Sequence, residues 1–121
     1  MATILIIEDD DNTRILVKVM LKRGGYSVQA VTNAAEALQS LEGSTPDLII
    51  LDLALPGMNG IELCGYIREH PSTRETPILI LTASIDAISI RKSQEAGANA
   101  FVKKPIFPTD MLANVHNLLD E

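Results

Sequence analysis

The chain has 121 residues, of which 46% are hydrophobic and 21% charged, so it is long and apolar enough to fold around one core. Its formal net charge of −6 argues against nucleic acid as a direct partner and against a membrane surface, because both attract clustered Lys and Arg. No apolar run reaches the roughly 18 residues of a membrane-spanning helix, and the single cysteine, Cys64, fits a reducing cytoplasm.

Five short runs predict β-strands, and a segment with helical periodicity follows each of them. Three of the runs are apolar without alternation, which is typical of strands buried on both faces of a parallel sheet. The second run partly alternates, which favours an edge strand. In chain order the runs are Ile4–Ile7, Ser27–Val31, Leu48–Leu51, Ile78–Leu81 and Ala100–Val102.

The intervening segments predict five helices that begin near Asn12, Asn33, Asn59, Asp86 and Pro108. We expect the first helix to bury a stripe of Ile15, Leu16, Val19 and Met20, and the third to bury Ile61, Cys64 and Ile67. Alternating strands and helices predict a doubly wound α/β fold with helices on both faces of a parallel sheet. With no linker or repeat in view, residues 1–121 are expected to form a single domain.

Residues that can carry chemistry follow four of the predicted strands. Glu8, Asp9, Asp10 and Asp11 follow the first strand, and Asp52 ends the third. Thr82 follows the fourth strand, and Lys104 follows the fifth. Ligands of open parallel sheets bind beyond the carboxyl ends of the strands, so we expect these side chains to converge at one edge.

A cluster of carboxylates is costly because the charges repel one another, and a bound cation relieves that cost. Mg²⁺ prefers such oxygen ligands. A simpler interpretation of the acidic run is that it begins a helix, where negative side chains interact favourably with the helix dipole. Asp52 is the sharper signal, because it ends a buried strand and an apolar loop follows it. A carboxylate there can attack phosphorus and form an acyl phosphate.

The chain resembles the CheY-like receiver domain of two-component response regulators over essentially its whole length. The resemblance implies a flavodoxin-like (βα)5 topology with strand order 2-1-3-4-5. It also implies a protein that is phosphorylated rather than an enzyme acting on other substrates. The matching segments, in the order that the family has them, are Ile4–Asp10, Pro46–Asp52, Pro56–Gly60, Leu81–Ala83, Gly97–Ala98 and Lys104–Pro105.

The resemblance implies a role for each matching acid. Asp52 resembles the phosphoacceptor, and Asp9 resembles the direct Mg²⁺ ligand. Glu8 would act on the metal partly through water, and the backbone carbonyl of Ala54 would complete the protein ligands together with Asp52. Mg²⁺ is therefore the expected cofactor.

The resemblance also implies residues that hold the phosphoryl group and respond to it. Thr82 and Lys104 would contact the phosphate oxygens, and an X-Pro bond such as Lys104-Pro105 can be cis. Phe101 matches an aromatic position that moves inward together with Thr82 on activation. Small residues at Ala54 and Ser84 leave the lifetime of the phosphate open.

The implied partners are a histidine kinase or histidine phosphotransfer protein, and a downstream effector protein or fused output domain. A phosphorylation-dependent dimer is compatible with the resemblance. Three other functions are alternatives: a flavin-carrying electron-transfer protein with the same topology, an aspartyl-phosphate hydrolase and a binding module that is not phosphorylated. The flavin protein would need a phosphate-binding loop after strand one, where this chain has acidic residues. The hydrolase would need an acidic residue at position 54, where this chain has Ala54. The binding module would lack part of the set of acidic residues, Thr82 and Lys104 that this chain has.

Overall fold

A computed structural model of the chain describes residues 1–83 and 86–119. Strands and helices alternate from the first element to the last, as the sequence predicts. The ten elements are β1 (Thr3–Ile7), α1 (Asp11–Arg23), β2 (Ser27–Val31), α2 (Ala34–Gly43), β3 (Leu48–Asp52), α3 (Gly60–Glu69), β4 (Ile78–Thr82), α4 (Ala87–Glu95), β5 (Ala100–Lys103) and α5 (Pro108–Leu119).

The five strands form one parallel sheet in the order β2-β1-β3-β4-β5. The predicted doubly wound topology is therefore confirmed, and β2 is an edge strand as its partial alternation indicated. The strand order reverses between β1 and β3, where the register pairs Ile7 with Leu51. This reversal opens a crevice at the carboxyl ends of β1 and β3, which is the usual ligand position in such sheets.

Two aliphatic cores cover the two faces of the sheet. One packs α1 and α5 against the sheet, with Val17, Leu21, Met111 and Val115 at its centre. The other packs α2 and α3 against the opposite face through residues that include Ala37, Leu41, Leu63, Cys64 and Ile67. Because alternate residues of each central strand enter opposite cores, β1, β3 and β4 are apolar except for one end residue each, Thr3, Asp52 and Thr82.

The predicted buried stripe of α1 is confirmed at Met20 and wrong at its other three residues. The helix buries Val17, Met20 and Leu21, whereas Ile15, Leu16 and Val19 are exposed. Apolar residues occupy every position from 15 to 21 except Lys18, so helical periodicity allows two stripes and does not choose between them. In α3 the structure buries Leu63 with the predicted Cys64 and Ile67, while Ile61 is half-buried.

Side-chain caps define the starts of the helices near the site. Asp10 caps α1 by accepting hydrogen bonds from the Thr13 backbone N–H and hydroxyl, at 2.8 and 2.7 Å. These contacts confirm the interpretation that Asp10 lies at the start of a helix, where it is the N-cap. Asn59 caps α3 in the same way through the Glu62 N–H. Within the described ranges, no helix is long and apolar enough to cross a membrane.

Candidate functional site

Three carboxylates meet at the crevice between β1 and β3. Glu8 follows β1 and Asp52 ends β3, and the pairing of these strands brings the two side chains together with Asp9. One carboxylate oxygen from each of Glu8, Asp9 and Asp52 lies within 4.8 Å of the other two. Glu8 is 0% exposed and Asp52 is 4% exposed, whereas Asp9 lies at the surface. The cluster is therefore a pocket with two buried acids and one at its mouth.

Lys104 follows β5 and reaches the acids at the same edge of the sheet. Its Nζ donates to Glu8 Oε1 at 2.7 Å and to Asp52 Oδ2 at 3.2 Å. The Lys104-Pro105 peptide bond is cis, and the Lys104 backbone N–H donates to the Thr82 carbonyl at 2.8 Å. Lys103, the residue before Lys104 in the chain, is exposed. One ammonium thus bridges the ends of β1 and β3.

The pKa values of the two buried acids, Glu8 and Asp52, are shifted in opposite directions. Burial, followed by a hydrogen bond with Asp52, raises the pKa of Glu8 to about 7, although Lys104 opposes this shift. Burial also disfavours the charge of Asp52, but hydrogen bonds from Glu8 and the Ala54 N–H, together with Lys104, leave its pKa below the ordinary value. The proton that the pair shares is therefore held on Glu8, and Asp52 is the ionised partner.

The pKa of Lys104 is raised in the same pocket. Burial by itself lowers this pKa, but the hydrogen bond with Glu8 and the charge of Asp52 outweigh burial. The ammonium is thus held in its charged form beside the carboxylate of Asp52.

The loop after β3 is built closely around Asp52. The Ala54 N–H donates to Asp52 Oδ1 at 3.0 Å, and the Gly60 N–H donates to the Leu53 carbonyl at 2.9 Å. A Cβ on Gly60 would lie 2.7 Å from the Asp52 carbonyl oxygen and 2.7 Å from Leu53 Cα. Glycine at position 60 therefore allows α3 to begin directly against the acid-bearing strand.

A pocket of about 290 Å³ opens beside Asp52. Thr82, which is buried, lies on its wall together with Ala83, Ala54 and Lys104. Asp86 and Ser89, from the start of α4, line the outer side. The pocket leaves space for a small polyatomic anion between a carboxylate, a hydroxyl and an ammonium.

The structure brings together most of the residues that the sequence singled out. Glu8, Asp9 and Asp52 form the acid cluster, and the remaining members Ala54, Thr82 and Lys104 line the pocket with Asp52. Phe101 lies elsewhere on β5, half-buried against the core that contains α2 and α3. The prediction for Ser84 falls outside the described residues.

Sequence reasoning missed two residues that shape the site. One is Gly60, whose close approach to Asp52 depends on the path of the loop between them. The other is Arg14, whose guanidinium contacts the turn that carries Glu8 and Asp9. The asparagine cap before Gly60 marked the helix start, but no pattern in the sequence showed how near that start lies to Asp52.

Comparison with known proteins agrees with this geometry. The family model of the response regulator receiver domain matches residues 4–116. The DNA-binding response regulator MtrA of Mycolicibacterium smegmatis is 34% identical over 112 residues, which are 93% of this chain and 48% of that protein. The chain thus spans about half the length of the curated relatives of this kind that it matches.

Solved structures give the same result. The chemotaxis protein CheY4 of Vibrio cholerae matches with a TM-score of 0.95 and 29% identity, covering 98% of both chains. The receiver domain of the sensor histidine kinase PA1611 of Pseudomonas aeruginosa matches with a TM-score of 0.91 and 27% identity, covering 99% of this chain and 98% of that one. That structure has a magnesium ion coordinated in its active-site cleft.

The names of the relatives conflict with one expectation from composition. MtrA is a DNA-binding regulator, so the prediction that nucleic acid is not a direct partner does not hold for that whole protein. The acidic charge that led to this prediction belongs to a segment matching about half of MtrA. Fold, acid cluster and comparisons lead to the same assignment, and the chain belongs to the response regulator receiver domain family of two-component signalling.

Proposed function

We propose that Asp52 accepts a phosphoryl group from a phosphohistidine with Mg²⁺ bound, and that this modification switches a protein-interaction surface. The observation that carries the proposal is the environment of the Asp52 carboxylate. It is buried and ionised between the Ala54 N–H and the Lys104 ammonium, and it opens into a pocket large enough for a phosphoryl group.

The transfer exchanges one phosphorus bond for another. An oxygen of the Asp52 carboxylate attacks phosphorus in line with the imidazole nitrogen of the donor, and a new P–O bond forms as the P–N bond breaks. The imidazole keeps the electron pair of that bond and takes a proton from solvent. The Ala54 N–H and Lys104 Nζ orient the carboxylate while the bond forms.

The acid cluster fits Mg²⁺ by its donor set. Asp9 and Asp52 offer hard oxygen ligands, and the Ala54 carbonyl is the proposed third protein ligand, with Glu8 acting partly through water. The magnesium in the PA1611 receiver supports this choice of cation. When bound, Mg²⁺ would neutralise charge on the transferring phosphoryl group.

Thr82 and Lys104 would then hold the new phosphate oxygens. Thr82 lines the pocket, and the Lys104 ammonium is already within 3.2 Å of Asp52 Oδ2. If the Thr82 hydroxyl moves toward the phosphate, it leaves space that the half-buried Phe101 can enter. Phosphorylation would shift this equilibrium only by as much as it favours the active state over the inactive one.

The proposed donor is a histidine kinase or histidine phosphotransfer protein, and the proposed output is an effector protein or a fused output domain. The exposed apolar residues Ile15, Leu16 and Val19 on α1 support docking of a donor protein, because α1 begins at the acid cluster. The chain itself would catalyse no reaction beyond its own phosphorylation and dephosphorylation. A cytoplasmic location belongs to the same proposal.

Labelling with a small phosphodonor tests the acceptor. Acetyl phosphate with Mg²⁺ should add one phosphoryl group to the wild type and none to Asp52→Asn, measured by intact-protein mass spectrometry. Asp110→Asn, at an exposed position on α5, is the matched control and should be labelled like the wild type. Equal labelling of wild type and Asp52→Asn would rule out the assignment of Asp52.

A further inference from the structure

Arg14 contacts the turn between β1 and α1 from the first turns of the helix. Its Nη1 donates to the backbone carbonyls of Glu8 and Asp9, at 3.2 and 3.3 Å. Its Nη2 donates to Asp11 Oδ1 at 2.6 Å. The side chain is only 19% exposed, so the guanidinium lies against the turn instead of extending into solvent.

These contacts act on the backbone that carries two members of the acid cluster. The directions of the Glu8 and Asp9 side chains depend on the peptide groups that Arg14 binds. A guanidinium is planar, and its donors are fixed relative to one another, so one side chain holds two successive carbonyls and a carboxylate at the same time. A lysine ammonium at this position would keep the charge without that fixed geometry.

We propose that Arg14 is a positioning residue that holds Glu8 and Asp9 in the arrangement needed to bind a divalent cation. The proposal rests on the proposed function, in which Mg²⁺ binds this cluster. Arg14 touches backbone and Asp11, so it acts through the turn and is not itself a ligand.

The charge of Arg14 and its positioning role predict opposite effects on metal binding. A positive charge close to a cation site weakens cation binding, so removing the charge alone should tighten it. Losing the contacts that orient the ligands should weaken binding, and such losses commonly cost roughly 10- to 100-fold in metal affinity. The direction of the change therefore separates the two roles.

The test is a Mg²⁺ titration followed by calorimetry on the wild type, Arg14→Lys and Arg14→Met. We expect the Kd for Mg²⁺ to rise roughly ten-fold or more in both variants, including Arg14→Met, which has lost the positive charge. Lys18→Met, one turn along the same helix, removes the same charge from a residue outside the turn and should bind like the wild type. An unchanged Arg14→Lys together with a tighter Arg14→Met would overturn the proposal.

Hydrogen exchange in EDTA provides a second measurement that does not depend on metal. Amides of residues 9–12 should exchange faster in Arg14→Lys than in the wild type, while β3 amides stay unchanged. Equal exchange in the turn would also overturn the proposal. If the wild type binds no Mg²⁺ but the turn exchanges faster in the variant, the proposed metal site fails and the positioning of the turn stands.

Discussion

Glu8 and Asp52 are two buried carboxylates in one pocket with opposite pKa shifts. Both contact Lys104, but Asp52 also accepts the Ala54 N–H, and its hydrogen bond with Glu8 favours the ionised form. Pairs of acids whose environments separate their pKa values in this way commonly divide the roles of proton holder and nucleophile. The sequence predicted that these acids meet, because each follows a strand of one parallel sheet. Their protonation depends on distances to Lys104 and on burial, which no sequence pattern specifies.

Glu8→Gln should stabilise the metal-free protein, and more so at pH 8 than at pH 5. The folded state raises the pKa of Glu8 from 4.5 to about 7, so it binds more protons than the unfolded state between these values. The free energy of unfolding therefore falls as pH rises through this window. Glutamine can still accept from Lys104 and donate to Asp52, but it carries no charge to bury.

Urea denaturation in EDTA at several pH values measures this effect. The difference between Glu8→Gln and wild type should grow between about pH 5 and pH 8. Glu42→Gln, at an exposed position of α2, should show a difference that does not depend on pH in this way. A Glu8→Gln variant that is less stable than wild type at pH 8 would contradict the expectation.

Helix α3 supports the site because its first residue, Gly60, lies directly against the end of β3. Gly60→Ala would place a methyl group 2.7 Å from the Asp52 carbonyl oxygen and from Leu53 Cα, and both are backbone atoms with little room to move. We expect a loss of about 1–3 kcal/mol in the free energy of unfolding, as for other overpacked positions.

Gly65→Ala, in the interior of the same helix, is the matched control. Its Cβ would have no neighbour within 4 Å beyond the adjacent residues and the backbone of its own helix, so it should stabilise the protein by about 0.5–1 kcal/mol through the helical preference of alanine. Chemical denaturation of both variants measures the contrast. Two equal changes would show that the contact with β3 does not determine the effect.

The elements themselves were largely predictable, and the faces of α1 were not. All five strands lie where the apolar runs predict them, and the central ones are easy to recognise because a parallel sheet buries them on both faces. The five helices begin close to the capping residues that the sequence indicates. In α1 the buried residues Val17, Met20 and Leu21 fit helical spacing, and the stripe that the sequence predicted fits it equally well. Only packing against β1 and α5 decides between the two, and that information is not local.

The exposed stripe of α1 leads to a prediction about donor proteins. Leu16→Asp should reduce phosphorylation by a histidine kinase that labels the wild type, because it places a charge within the apolar residues Ile15, Leu16 and Val19. Labelling by acetyl phosphate should stay unchanged, since a small donor needs no docking surface. Rates of phosphotransfer from the two donors measure this difference, and equal losses with both would argue against docking on α1.

The acid cluster exists only when the whole chain has folded and the sheet is formed. Glu8, Asp9 and Asp52 come from segments separated by more than 40 residues of chain, and the pairing of β1 with β3 brings them within ligand distance. A cation that binds this arrangement therefore binds the folded state in preference to the unfolded chain. Any metal binding at this cluster would therefore be coupled to folding through the pairing of β1 with β3.

Mg²⁺ should therefore raise the melting temperature of the chain at pH 8. Preferential binding to the folded state contributes about 1.4 kcal/mol when free Mg²⁺ is about ten times its Kd. Thermal melts in EDTA and in increasing Mg²⁺ measure the shift, with NaCl at matched ionic strength as the control for screening of the net charge of −6. Asp9→Asn changes an exposed acid at the mouth of the pocket, so its melting temperature should respond little to Mg²⁺. An equal rise in NaCl, or an undiminished rise in Asp9→Asn, would mean that the stabilisation does not come from a cation held by this cluster.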